Sequence, residues 1–285
     1  MSLGQRLFVA LQYALPQHGL SGVVFRLTRL RLGPLTRLMI RAFSWLFRVD
    51  MSEAAEPSVA PYPSFNAFFT RALRPDARPL AEPGAIACPV DGAVSQLGAI
   101  GGGRIIQAKG RDYGVADLLG GGAALASCFA DGQFATLYLS PRDYHRIHMP
   151  IDGMLLETIH IPGRLFSVNP ATTATVPRLF ARNERVVALF DTTLGPLALV
   201  LVGAIFVGSI ETVFGGLHTP PRAKTIRRID YHGHGIRIRR GDELGRFNMG
   251  STVVLLFAGA TLDWDPTLKP GSRVRCRLGI ATVRA

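Results

Sequence analysis

From about residue 65 onward, apolar residues come in short unbroken runs punctuated by Gly, Pro and Asp. ATLYLS at 135–140, ERVVALF at 184–190, LALVLVGA at 197–204 and STVVLLF at 251–257 predict strands, because runs this short between turn residues suit strands better than helices. GIRIRR at 235–240 contains alternating apolar and basic positions, the pattern of a half-exposed strand. Helical periodicity is scarce here, and DYGVADLL at 112–119 is the best candidate. Residues 192–210 carry no charge, but Gly195, Pro196, Gly203 and Gly208 interrupt them. Two buried strands are expected there rather than a membrane-spanning helix.

The N-terminal pattern differs. Pro34, after Gly33, predicts a division of residues 24–48 into two helices. On the second, Arg37, Arg41, Ser44 and Arg48 fall within about 60° of one another at 100° per residue. Leu38, Met39, Ala42, Phe43, Leu46 and Phe47 take the other side. Residues 50–64 hold three prolines and read as a linker. The expected architecture is α+β. A helical segment and linker (1–60) precede a mainly-β, barrel-sandwich-like domain (61–285).

Charge sharpens the N-terminal reading. The chain has 285 residues, a formal net charge of +12 and 48% hydrophobic residues. Its first 49 residues contain seven arginines and no acid. A basic amphipathic helix bearing aromatics is an interfacial membrane signature. Arg37, Arg41, Phe43, Trp45, Phe47 and Arg48 are therefore the expected membrane contacts. A nucleic-acid partner is not expected, since the basic run at 222–240 has Tyr231 as its sole aromatic. No cleavable leader is evident at the N-terminus. Three scattered cysteines, Cys88, Cys128 and Cys276, suit reduced thiols and offer no metal spacing.

Phosphate-binding, dinucleotide and metalloprotease motifs are absent. Three segments put reactive side chains beside turn residues: Pro89-Val90-Asp91-Gly92, Tyr144-His145-Arg146-Ile147-His148-Met149-Pro150 and Met249-Gly250-Ser251-Thr252. Together they supply a carboxylate, imidazoles and a hydroxyl, the set that activates a nucleophile. The two imidazoles are expected to share a face if their segment is extended. No Cys or further His completes a metal set around them, so no metal is expected.

These segments, with FNAFFTRALRP (65–75), PVDGAVSQLG (89–98), KGRDYGVADLLG (109–120), YHRIHMPIDG (144–153), LFARNERVVALF (179–190), VGAIFVGSIET (203–212) and RGDELGRFNMGSTVV (240–254), resemble the bacterial membrane-associated phosphatidylserine decarboxylases over most of the chain. Met249 stands where that family usually has Leu. The resemblance implies a proenzyme that cleaves itself at Gly250–Ser251 into chains 1–250 and 251–285. Ser251 becomes a covalent pyruvoyl group, the one cofactor implied. His148 is implied as the base on Ser251, Asp91 as its orienting carboxylate and His145 as a second imidazole. The pyruvoyl group would form a Schiff base with phosphatidylserine and release phosphatidylethanolamine. The implied setting is peripheral, on the cytoplasmic face of an anionic cell membrane, with the two product chains associated and paired into a dimer of heterodimers. A serine hydrolase with the same Asp-His-Ser set, keeping Ser251 and an uncut chain, is the alternative.

Overall fold

The computed structural model describes residues 3–108, 110–206, 209–220, 223–249, 252–259 and 262–284. Among these, a nine-stranded antiparallel sheet forms the centre. Its order is Arg227–Asp230, Gly153–Ile161, Arg185–Thr192, Gly195–Val202, Thr252–Phe257, Gln133–Tyr138, Gly92–Ala99 and Arg273–Val274, with Arg237–Ile238 also paired to Gly153–Ile161. The order is open rather than a closed barrel, and the fold is α+β. A smaller sheet runs Gly216–Leu217, Ile210–Thr212, Glu243–Phe247, Arg146–His148.

Both faces of the central sheet are covered. Val253, Leu255, Phe257, Leu199, Leu201 and Leu137 enter one core. Val254, Leu256, Val200, Val202 and Phe134 enter the other. Side chains alternate across a strand, so a strand buried on both sides must be apolar at every position. That is why VVLLF and LALVLV are unbroken runs. The uncharged stretch at 192–210 contains the Gly195–Val202 strand and the first residue of Ile210–Thr212. The predicted helix at 112–119 shrinks to one turn, Val115–Leu118, after the strand Arg111–Gly114.

At the N-terminus, α1 (Leu3–Ala14), α2 (Gln17–Leu27) and α3 (Pro34–Phe47) form, with Pro34 in the first turn of α3. Proline suits that position because its missing N–H would have no intrahelical partner. The helices are tied to the sheet domain. Buried Gln12 and Gln17 accept from the backbone N–H groups of Ser167 and Leu165, and Tyr13 packs on Phe166 at 4.9 Å. A short helix, α4 (Phe65–Phe69), is capped by Ser64 Oγ accepting from Ala67 N–H. Ile40 of α3 packs with Phe65, Phe68 and Phe69 of α4, and Met39, Phe43 and Met249 join them. The N-terminal helices thus meet the chain just before Gly250–Ser251. No helix among the described residues is long and apolar enough to cross a membrane.

Candidate active site beside Thr252

Gly250 and Ser251 lie outside the described residues, but both flanks are defined. Met249 has φ of 105°, a sparsely populated conformation for a residue with a Cβ and a seat of backbone strain. Three residues later the chain is in the centre of the sheet, with Thr252 opposite both Tyr138 and Val202. Thr252 is fully buried, and its Oγ1 has no hydrogen-bond partner among the described residues. An orphaned buried hydroxyl is uncommon and calls for a reason. Gly92 is needed at this end of the sheet, because a Cβ there would lie 2.3 Å from the Tyr138 carbonyl oxygen.

His145 is completely buried. Its Nδ1 is 2.7 Å from the Asp143 carbonyl. A carbonyl only accepts, so Nδ1 carries the proton and donates it. Burial, helped by the nearby Arg71 cation, pushes this imidazole down to about 3, so near neutral pH the ring is uncharged and Nε2 holds a free lone pair. That Nε2 is buried and has no partner among the described residues. The ring is fixed from two sides. Phe69 lies on it at 4.1 Å, and Phe247 N–H donates to the His145 carbonyl at 3.0 Å.

His148 is differently placed. It ends the strand Arg146–His148 opposite Glu243, farther back along the strand that leads to Met249. Its Nδ1–H donates to the Gly241 carbonyl at 2.8 Å, and its Nε2 accepts from Tyr144 O–H at 2.9 Å. Burial also lowers its pKa. Both ring nitrogens are engaged, so no lone pair is free for another proton. The expectation that His145 and His148 share a face does not hold. They are three residues apart, and in a strand of period two an odd spacing gives opposite faces.

Nor does Asp91 orient His148. Its Oδ1 accepts from Arg78 Nε at 2.9 Å and from Cys276 N–H at 2.7 Å, and its Oδ2 accepts from Arg78 Nη2 at 2.5 Å. Arg78 also donates to Glu53. Asp91 therefore ties residue 276 to residues preceding Gly250. His148 approaches it only through the backbone, donating from its own N–H to the Pro89 carbonyl.

Phe43 departs from the expected membrane face. It turns inward and packs on Phe47, Phe65, Phe68 and Phe69. Helix α3 carries three stripes rather than two. Thr36 and Ile40, with Phe43 beside them, face the protein, and Phe47 lies at that edge. Arg37, Arg41 and Arg48 are exposed within about 40° of one another. Leu35, Leu38, Trp45 and Leu46 are exposed over about another 100°. Trp45 is 82% exposed. A two-way split by hydrophobicity could not separate an apolar face packed on protein from one left open.

Arg71, Arg78, Tyr144 and Thr252 carry no chemical signal in the sequence. Arg71, Tyr144 and Thr252 lie within segments that stand out for other residues, and Arg78 lies between two of them. Only their three-dimensional partners give them meaning.

A family model described as "Phosphatidylserine decarboxylase" matches residues 65–282, and a second, described as "PSD", matches residues 7–48. The chain is 54% identical over 280 residues to a phosphatidylserine decarboxylase proenzyme of Methylococcus capsulatus, covering 98% of this chain and 97% of the relative. Proenzymes of the same name from Methylibium petroleiphilum, 56% identical with 96% of each chain covered, and Alcanivorax borkumensis, 54% identical with 97% and 96% covered, are similarly close. With more than three-quarters of its length inside the decarboxylase model and its curated relatives matched almost end to end, the chain belongs to the phosphatidylserine decarboxylase family.

Proposed function

We propose that the chain is a self-processing decarboxylase that converts phosphatidylserine to phosphatidylethanolamine at a membrane surface. Relatives named proenzymes support a processed chain, and the intact Gly250-Ser251-Thr252 sequence supplies the bond to be cut. The observation that carries the reading is the lone pair of His145: neutral, buried, without a partner among the described residues, and on a loop whose backbone is bonded to Phe247, three residues before Gly250.

In this account His145 Nε2 takes the Ser251 hydroxyl proton. The oxygen attacks the Gly250 carbonyl and displaces its amide nitrogen, which leaves with a proton, so the peptide becomes an ester. Thr252 Oγ1–H, next in sequence to Ser251 and without a partner among the described residues, is a candidate donor for the oxyanion. Elimination across the serine Cα–Cβ bond then frees the Gly250 carboxylate, and hydrolysis of the new N-terminus gives the pyruvoyl group and ammonia. These residues fit such a group: His145 is a buried neutral imidazole, and Thr252, next in sequence to Ser251, has a buried hydroxyl without a partner among the described residues. When formed, it supplies a carbonyl that takes up the substrate amine and withdraws electrons as carbon dioxide leaves. His145 Nε2 then takes a proton from the incoming substrate ammonium and delivers it to the substrate Cα in place of the departing carbon dioxide.

Asp91 and His148 are positioning residues in this account. Asp91 fastens Cys276, in the C-terminal product, to Arg78 in the N-terminal one. His148 fixes the loop of Tyr144 and His145 against Gly241. The exposed apolar and basic stripes of α3 hold the protein on an anionic leaflet without a span.

Maturation kinetics test these roles. His145→Asn should slow or stop cleavage and leave any matured fraction unable to decarboxylate. His148→Ala should slow cleavage by misplacing the loop, and His148→Asn, which keeps an N–H donor for Gly241, should restore much of it. Blocked cleavage in His148→Asn with normal cleavage in His145→Asn would exchange the two roles. An active preparation with intact Ser251 would favour the hydrolase reading.

A further inference from the structure

A cavity of about 350 Å³ opens between the end of α3, the end of α4 and the loop before His145. Six arginines line it: Arg48, Arg71, Arg78, Arg142, Arg273 and Arg275. Its four acids are already engaged. Asp91 is held by Arg78 and the Cys276 N–H, Glu53 by Arg78 and Arg275, and Asp143 by Arg273 and Ser140. Asp50, at the outer edge, accepts from Ser52. That leaves Arg48, Arg71 and Arg142, none of which has a carboxylate within ion-pair distance among the described residues.

Arg71 is the anomaly. It is only 5% exposed. Among the described residues its Nη2 makes one long bond, 3.3 Å, to the Arg142 carbonyl and its Nε has no partner, and its guanidinium stands 5.4 Å from the Phe68 ring centre. Asp91 and Asp143 act on it only at longer range. A buried cation with no anion in direct contact is costly, and the guanidinium fork matches phosphate oxygens in pairs. Arg48 and Arg142, both exposed, stand at the cavity as a second and third cation. Arg48 stands two positions after the exposed Leu46 of α3, so the cavity adjoins the stripe assigned to the lipid surface.

We propose that this cavity binds the phosphate group of a phospholipid headgroup, with Arg71 as its floor and Arg48 and Arg142 at its mouth. The inference rests on the membrane reading above and names a residue for lipid recognition. The phosphate comes either from the substrate's own phosphodiester or from a neighbouring anionic lipid, and the test separates them from free phosphate.

The test uses the full-length purified protein, parent and Arg71→Gln, with inorganic phosphate as the first probe. In chloride buffer Arg71→Gln should melt no lower than the parent, because it removes an uncompensated charge. Phosphate at matched ionic strength should raise the melting temperature of the parent and leave Arg71→Gln unmoved. With dispersed short-chain phosphatidylserine, a loss concentrated in KM, about tenfold or more for a charge-assisted contact, assigns the site to the substrate. An unchanged KM with lost stimulation by phosphatidylglycerol vesicles assigns it to a second lipid. A response to inorganic phosphate with neither lipid effect makes it a free-phosphate site and overturns the headgroup proposal. Equal phosphate stabilisation of both proteins, or a lower melting temperature of Arg71→Gln in chloride, also overturns it. If Arg71→Gln fails to fold, Arg48→Gln/Arg142→Gln, changed only at exposed positions, must weaken the phosphate response, and an undiminished response refutes the site. Two-chain maturation is scored in parallel. Its absence in the parent would strike the self-processing account, while the phosphate arm stays readable on the uncut chain.

Discussion

The strand Thr252–Phe257 and the helix α3 are both strongly apolar, yet they are committed very differently. The strand is paired on both edges, with Gln133–Tyr138 and Gly195–Val202, and buried on both faces. Helix α3 buries one stripe and leaves Leu35, Leu38, Trp45 and Leu46 open. A covalent link is dispensable where packing and pairing already hold a segment on every side. Cutting before residue 251 would leave the C-terminal product as the centre of a sheet whose neighbours on both sides belong to the N-terminal product. Neither product can leave without exposing Val253, Val254, Leu255, Leu256 and Phe257, each worth roughly 1.5–3 kcal/mol of burial. The helix holds apolar surface that its own protein does not use.

The sharpest way to break this contrast is to put a charge into each element. Leu255→Asp should destabilise the fold by more than about 4 kcal/mol, since the carboxylate would be buried without a partner, and soluble protein should be lost. Leu38→Asp should leave thermal stability within about 0.5 kcal/mol of the parent. Equal damage from both would end the distinction.

Replacing Arg37, Arg41 and Arg48 with Glu comes next. Each arginine near an anionic surface contributes roughly 1 kcal/mol, so sedimentation with phosphatidylserine vesicles at low salt should fall by two orders of magnitude or more, with the melting curve little changed. Added salt should shrink the gap between parent and variant, because exposed charges are screened beyond about 8 Å at physiological ionic strength. Trp45→Ser should have a smaller effect on vesicle binding, about tenfold, and one that survives salt, as expected of lost apolar area. Phe43→Ser should behave oppositely, lowering thermal stability through its contacts with Phe65, Phe68 and Phe69.

Taken per pH unit, the smallest effect belongs to the sheet side. Burial holds His145 to about 3 and His218 to about 4, against 6.5 in an unfolded chain. Below pH 6.5 the unfolded chain takes up protons that the folded chain refuses. Stability is therefore complete above that pH and falls as pH falls, by at most about 1.4 kcal/mol per pH unit for each histidine. His145→Asn should flatten the decline between pH 6.5 and 4 in denaturant titrations. An unchanged slope would mean that the imidazole is not held neutral by burial.

Much of the fold was legible because burial on two faces writes itself as an unbroken apolar run. The Gly195–Val202 and Thr252–Phe257 strands could be read that way, and Pro34 marked the start of α3. The strand Arg237–Ile238 lies inside the alternating GIRIRR run that predicted it, whereas Gly216–Leu217 could not be read, since two paired residues leave no period to detect. At the site, residue types were legible and partnerships were not. Asp91, His145 and His148 stood out as reactive groups beside turns. That Arg78 would occupy Asp91, and Tyr144 and Gly241 would occupy His148, depends on contacts between segments up to 93 positions apart. Stripe assignment on α3 failed at Phe43 for a related reason: hydrophobicity cannot tell an aromatic packed on α4 from one open to the surface.

The central claim is that the chain cuts itself at Gly250–Ser251 and remains a two-chain enzyme. The direct measurement is the intact mass of an active preparation under denaturing conditions, beside its mass under native conditions. The account predicts two polypeptides on denaturation, one ending at Gly250 and one beginning with a pyruvoyl group in place of Ser251, and a single associated species when native. A single full-length chain with Ser251 unmodified, in a preparation that decarboxylates phosphatidylserine, would contradict it.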